Sequence, residues 1–77
     1  MDANILKLKI FQLAKQYNFK IVKVYNEWEI RENDNVILYV VPRRVFGNQI
    51  DRLKLYHTEY TSENAKAFMQ NIKDLKD

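Results

Sequence analysis

The chain contains one histidine and one serine, the residue types that most often serve as base and nucleophile in hydrolases. A serine nucleophile would need Ser62 in contact with His57 and with an acid such as Asp51 or Glu59. Ser62, however, directly precedes Glu63 at the start of a helical pattern, which is the position of an N-cap. His57 and Glu59 supply two metal ligands at alternate strand positions, whereas a zinc site usually takes three or four. The sequence therefore predicts neither a catalytic serine nor a metal site.

A pair of carboxylates offers a second possible chemistry. Glu27 and Glu29 alternate along one predicted strand, with Arg31 after them. Nucleases and glycosidases use paired carboxylates, but no aspartate and lysine stand at the spacings that would complete such a site. Gly47 is the only glycine, so the sequence has no glycine-rich loop for phosphate. We expect a protein that is not an enzyme and that needs no cofactor.

Binding is the remaining class of function, and aromatic and basic residues favour it. On an open sheet, such residues can hold phosphates while bases stack on the rings. An exposed apolar centre on the same sheet is equally typical of a protein interface. The candidate contact residues of this surface are Arg31, Tyr39, Arg52, Lys54 and Tyr56.

Residues 42–49 form a second candidate surface, and they include the only proline and the only glycine of the chain. The proline has no N–H for a strand ladder and the glycine lets the chain turn back, so we expect a loop here. The loop is longer than a hairpin requires. Arg43, Arg44 and Phe46 are expected to form a contact site, with paired guanidinium groups for phosphate or carboxylate and the phenyl ring as an anchor. Alternatively, Val45 and Phe46 fold back onto the core.

The periodicity of the apolar residues predicts the elements that position these groups. Helical spacing over residues 3–17 predicts a first helix, and a second follows a cap at Thr61 or Ser62. Segments 19–25, 28–32, 36–41 and 52–57 have strand composition or alternation, and turn residues separate the first three. The predicted order is α-β-β-β-β-α. This is an α+β fold with an antiparallel four-stranded meander and two helices packed on one face, in a single domain over residues 1–77.

The predicted turns, two residues at 26–27 and three at 33–35, assign the side chains to two faces. The helix-covered face is expected to carry Phe19, Ile21, Tyr25, Trp28, Ile30, Val36, Leu38, Val40, Leu53 and Leu55. The open face is expected to carry Lys20, Val22, Val24, Glu29, Arg31, Ile37, Tyr39, Val41, Arg52, Lys54 and Tyr56. A slip of one residue would exchange the two sets.

Two apolar surfaces are expected to lack a partner within the chain. Ile5 and Leu8 lie on the polar side of the first helix, where they need a second neighbour or are exposed. The open face has an apolar centre at Ile37, Tyr39 and Val41. Together these surfaces predict a homodimer or a partner-dependent interface.

The composition restricts the class of protein further. The chain is 47% hydrophobic, carries a formal net charge of +3 and has no cysteine, which fits a reducing cytoplasm. No apolar run approaches the roughly 20 residues of a membrane span. The abundance of Asn, Lys, Ile and Tyr is typical of AT-rich coding, as in low-GC bacteria, their phages and mobile elements. We expect a cytoplasmic protein without a membrane partner.

These observations favour a small non-catalytic binding domain. It would act on a nucleic acid, or on a nucleic-acid-handling protein complex, through the open sheet face and the 42–49 loop. The alternative is a phage or mobile-element inhibitor, for example of a host defence nuclease, that acts by protein contact alone. The sequence indicates no small-molecule substrate.

Overall fold

The computed structural model describes residues 2–44, 47 and 50–76. Its elements are α1 (Ala3–Gln16), β1 (Lys20–Val24), β2 (Glu27–Glu32), β3 (Asn35–Arg44), β4 (Ile50–His57) and α2 (Glu63–Lys76). The strands form one antiparallel sheet in the order β1-β2-β3-β4, and both helices pack on the same face. The predicted α+β meander is confirmed. In the part of the chain that is described, no helix is long and apolar enough to cross a membrane.

Local hydrogen bonds set the ends of the helices. The Asp2 carboxylate accepts two backbone N–H groups of the first turn of α1, at 2.8 and 3.3 Å. After the last turn, Asn18 adopts a positive φ of 61°, a conformation that asparagine tolerates and that often terminates a helix. The Ser62 hydroxyl accepts the Ala65 N–H at 3.0 Å, so of the two predicted caps Ser62 is the one that caps α2.

The core lies between the helices and the covered face of the sheet. Phe68 of α2 is fully buried, and its ring packs edge-on against Phe19 with the centroids 5.1 Å apart. Burying one such side chain stabilises the fold by about 1.5–3 kcal/mol. The buried cluster consists of Ile10, Ala14, Phe19, Ile30, Ile37, Leu38, Val40, Ala65, Phe68 and Ile72.

The first hairpin turn differs from the prediction. Val24 pairs with Glu27, so the two turn residues are Tyr25 and Asn26. Tyr25 has a φ of 57° and is 92% exposed, and its predicted place on the covered face is wrong. Two-residue hairpin turns take a positive φ at their first residue, and here that residue is Tyr25. Strand β1 ends and strand β2 begins one residue earlier than predicted, so the pairing register shifts by an even number of residues. The other side chains therefore keep their predicted faces.

The second hairpin contains a β-bulge that the sequence did not reveal. Its turn has two residues, 33–34, and the register of β2 with β3 shifts just beyond the pair of Arg31 with Val36. Ile37 is therefore an extra residue in β3. It is 1% exposed and belongs to the core, so its predicted place on the open face is wrong. Val36 was predicted on the covered face but lies opposite Arg31 and takes the open-face position.

Strand β3 continues through Pro42, so the prediction that the strand ends before this residue is wrong. The Thr58 N–H donates to the Ile37 carbonyl, and hydrogen-bonded pairs alternate along an antiparallel ladder. By this alternation, the pair of Pro42 with Leu53 makes no ladder bonds, and the proline nitrogen faces the β2 side. Strand β2 pairs with β3 only as far as Val40. The ladder therefore loses no hydrogen bond at the proline.

Candidate functional site on the open sheet face

One face of the sheet is covered by neither α1 nor α2, and we call it the open face. Strand alternation and the observed pairings place thirteen side chains on it. Every predicted member except Ile37 is among them. The members are Lys20, Val22, Val24, Glu27, Glu29, Arg31, Val36, Tyr39, Val41, Arg43, Arg52, Lys54 and Tyr56.

The half of the open face formed by β3 and β4 combines aromatic and basic side chains. Tyr56 is 49% exposed, and Tyr39 beside it is half-buried. Directly opposite residues have Cβ atoms about 4.5–5.5 Å apart, so the two tyrosines form one aromatic platform. We call this surface the basic half; its cross-strand pairs are Tyr39 with Tyr56, Val41 with Lys54, and Arg43 with Arg52.

The half formed by β1 and β2 is different because its charges compensate one another. The Arg31 guanidinium donates to one Glu29 carboxylate oxygen from Nη2 at 2.7 Å and from Nε at 3.0 Å. The structure thus places Arg31 on the open face, where two of its five N–H donors bind a carboxylate that also neutralises its charge. Arg31 is therefore less available to a phosphate than Arg52 or Lys54.

The charge of the protein is distributed unevenly between the open face and the rest of the chain. The open face holds five basic and two acidic residues, out of 13 basic and 10 acidic in the whole chain. The remaining residues are therefore balanced, and the formal net charge of +3 falls on the open face, within its basic half. Asp51, the only acid in β3 and β4, is the extra residue of a second bulge beside Arg52.

Arg43 and Arg44 are residues of β3, so their predicted place in a loop is wrong. Arg43 lies opposite Arg52, whereas Arg44 lies opposite Ile50, which is buried. Consecutive strand residues point to opposite faces, so the two guanidinium groups do not act as a pair. Gly47 has a φ of 57°, as expected for a glycine that turns the chain back. The predicted anchor Phe46 and its neighbour Val45 lie outside the described residues.

Ser62, considered above as a nucleophile, belongs to a hydrogen-bond network at the start of α2. Besides capping the helix, its hydroxyl donates to the Glu32 carboxylate at 2.5 Å, and the Tyr60 hydroxyl donates to the same oxygen at 3.0 Å. The hydrogen bond to Glu32 raises the pKa of Tyr60, and desolvation and the carboxylate's negative charge act in the same direction. The network joins the end of β2 to the segment that enters α2.

Sequence reasoning missed a groove of about 540 Å³ between the end of β4 and α2. We call it the β4–α2 groove. Apolar side chains such as Leu55 and Met69 form its floor, and Lys66 and Lys73 lie at its rim. The sequence did contain a signal, because lysines recur at positions 66, 73 and 76 and therefore fall on one side of a helix.

Comparisons of the chain with protein-family models, with curated proteins and with solved structures found no match. The open face and the β4–α2 groove are therefore the features from which a function can be inferred.

Proposed function

We propose that this protein is a small binding domain that acts without catalysis and holds single-stranded nucleic acid on the basic half of its open face. One observation carries the proposal. Tyr39 and Tyr56 lie side by side on the sheet face that neither helix covers, and the next open-face positions along the same two strands hold three cations and no acid.

The arrangement provides both interactions that a single strand needs. Bases stack on aromatic rings, which contributes about 1–3 kcal/mol per base. Lys54, Arg52 and Arg43 can then contact the phosphates that follow. Alternate strand residues lie about 6.7 Å apart, so the surface from the tyrosine pair to the arginine pair extends about 13 Å. This length holds about four nucleotides at the 3.4 Å spacing of a stacked strand, and fewer in an extended one.

A single strand fits this surface better than a duplex does. Stacking on a tyrosine ring requires a base whose face is free, and in a duplex both faces are covered by neighbouring bases. Stacking is also tolerant of sequence, because every base has an aromatic face. We therefore expect binding with weak sequence preference.

A titration with a labelled oligothymidine of about ten nucleotides tests the proposal, with a duplex of the same length as the comparison. Contacts between three cations and phosphates predict that log K falls with log salt with a slope of about −2. Tighter binding to the duplex, or an affinity that does not change with salt, would contradict single-strand binding through this surface.

The second candidate is an inhibitor that acts by protein contact alone, of the phage or mobile-element kind. The exposure of two large apolar residues on α1 favours it, because Ile5 is 50% and Leu8 56% exposed. Contiguous exposed apolar surface commonly marks a protein interface. Under this alternative the oligonucleotide does not bind, and Leu8→Lys abolishes association with the partner.

A further inference from the structure

The β4–α2 groove is separate from the open face and has its own chemical character. It lies on the helix side of the sheet, where Leu55 and His57 of β4 face the flank of α2. Its floor includes Ile37, and Ala65 and Met69 contribute from α2. The groove follows α2 from residue 65 to residue 76, which at 1.5 Å per residue is about 17 Å. An extended segment of about five residues has this length.

The lining of the groove selects for negative charge. Among the described residues, it includes Lys66, Lys73 and Lys76 together with His57, and no aspartate or glutamate. None of the three lysines forms an ion pair with a described residue. A second groove of about 570 Å³, between α1 and α2, contains both basic and acidic side chains and has no such preference.

The backbone next to the groove has unused hydrogen-bonding groups. Strand β4 is at the edge of the sheet, and among the described strands it pairs with β3 alone. The Thr58 N–H donates to the Ile37 carbonyl, and hydrogen-bonded pairs alternate with non-bonded pairs along the ladder. The N–H and C=O groups of Leu53, Leu55 and His57 therefore point away from β3. Such a free edge is the surface to which an extended peptide adds as a further strand.

We propose that the β4–α2 groove binds an extended acidic peptide segment of a partner protein, which pairs with β4 as a fifth strand. Alternate side chains of this segment face the groove, where apolar ones pack on its floor and acidic ones meet the lysines at the rim. This interaction surface is distinct from the nucleic-acid site, because it uses the backbone edge of β4 and the flank of α2, whereas the nucleic-acid site uses side chains on the other face of the sheet.

The charge of the edge argues against a second copy of this chain as the occupant. Two copies that paired β4 with β4 would bring the basic residues of both strands and both α2 rims together, and like charges directly opposite each other are destabilising. The groove is also open to solvent along one side, whereas sites for small ligands usually enclose most of the ligand. An acidic peptide can pair its backbone with the edge of β4, pack apolar side chains on the floor and place carboxylates beside the lysines of the rim.

The probe is a capped peptide of about ten residues in Glu-Glu-Val-Val repeats, which place glutamate and valine in turn along each face of a strand. One comparison peptide replaces glutamate by lysine. Another keeps the composition but alternates glutamate and valine strictly, so that one strand face is all glutamate and the other all valine. Amide chemical shifts of the protein are followed during titration. We expect the Glu-Glu-Val-Val probe to shift amides of β4 and α2 and to bind at least about tenfold more tightly than either comparison peptide, a difference of about 1.4 kcal/mol.

A matched pair of variants tests the strand pairing itself. His57→Pro removes one outward N–H without breaking a bond to β3, and His57→Ala removes the same side chain but keeps the N–H. One lost hydrogen bond predicts that His57→Pro binds the probe about three- to tenfold more weakly than His57→Ala. Both proteins are first shown to keep the wild-type shift pattern away from this site. The double variant Lys66→Glu and Lys73→Glu is expected to abolish the preference for the acidic peptide.

Three results would overturn the proposal. The first is the absence of shifts at millimolar peptide, and the second is equal binding by the two His57 variants. The third is that sodium laurate displaces the peptide, reverses its shifts and binds the groove more tightly than the peptide does. That result would indicate a site for small amphiphiles. Arg43→Ala, which weakens the nucleic-acid site, should leave peptide binding unchanged, so failure of one proposal is distinguishable from failure of the other.

Discussion

Tyr39 and Tyr56 lie directly opposite each other on β3 and β4, on the sheet face that neither helix covers. In a sheet packed on one side only, such a pair would gain more by facing the core, where aromatic side chains contribute most to stability. Its position beside Lys54 and the Arg43–Arg52 pair instead provides stacking and charge on one surface.

Replacement of Tyr56 tests whether its ring stacks on a base, in contrast to a tyrosine that is merely exposed. Tyr56→Ala should weaken oligothymidine binding by about fivefold or more, because one stacked base contributes about 1–3 kcal/mol. Tyr25→Ala is the matched control, since Tyr25 is 92% exposed but lies in the β1–β2 turn. Fluorescence anisotropy measures both. Equal effects of the two changes would show that the tyrosine pair is not the contact.

The two neighbouring arginines of β3 should behave differently. Arg43→Ala removes a cation from the basic half and should reduce the salt slope of binding by about 0.7, the loss of one phosphate contact. Arg44→Ala, on the opposite face, should leave affinity and slope unchanged. Titrations between about 50 and 200 mM salt measure the slopes. A larger loss with Arg44→Ala than with Arg43→Ala would contradict the assignment of faces.

Thr58 is expected to stabilise the bulge in β3. Its hydroxyl donates to the Val36 carbonyl at 2.6 Å, and its N–H donates to the Ile37 carbonyl at 3.0 Å. Thr58→Val keeps the N–H bond but removes the hydroxyl, which also accepts the Tyr60 N–H at 3.3 Å. The change should lower the free energy of unfolding by about 1 kcal/mol, or the melting temperature by about 4–8 °C. Thr61→Val, at an exposed position of the same connection, is the control. An unaltered melting temperature for Thr58→Val would show that Thr58 does not stabilise the bulge.

The network around Glu32 predicts a pH dependence in the alkaline range. The hydrogen bond to Glu32 raises the pKa of Tyr60 in the folded protein, so the folded state holds this proton more tightly than the unfolded chain does. The resulting stability is fully present below about pH 10, the pKa of an unfolded-chain tyrosine, and is lost as the pH rises through the folded value. Urea unfolding at about pH 9 and pH 11 should show a smaller loss for Tyr60→Phe than for the wild type. Tyr25→Phe should retain the wild-type loss; a Tyr60→Phe protein that also retains it would exclude the network as the cause.

The sequence predicted the element order and most of the open face because those features depend on local patterns. The alternation of Arg52, Lys54 and Tyr56 identifies their common face whatever the register of neighbouring strands. The bulge was not predictable, because Val36 and Ile37 are both apolar and β-branched and either can face the core. The end of β3 was predicted wrongly at Pro42, because a strand tolerates a proline where no ladder bond is lost. Whether a bond is lost depends on where β2 ends, which is a property of the assembled sheet. The β4–α2 groove likewise depends on the distance between two elements and has no local signal beyond the lysine spacing.

The most direct test of the nucleic-acid proposal is chemical-shift mapping of the wild-type protein with an oligothymidine of about ten nucleotides at low salt, in the range of about 50 mM. We expect the largest shifts at Tyr39, Lys54 and Tyr56, reversal of these shifts as salt is raised, and little change on α1 or in the β4–α2 groove. Shifts confined to the exposed Ile5 and Leu8 side of α1, or no shifts at all, would contradict binding of nucleic acid by the open face.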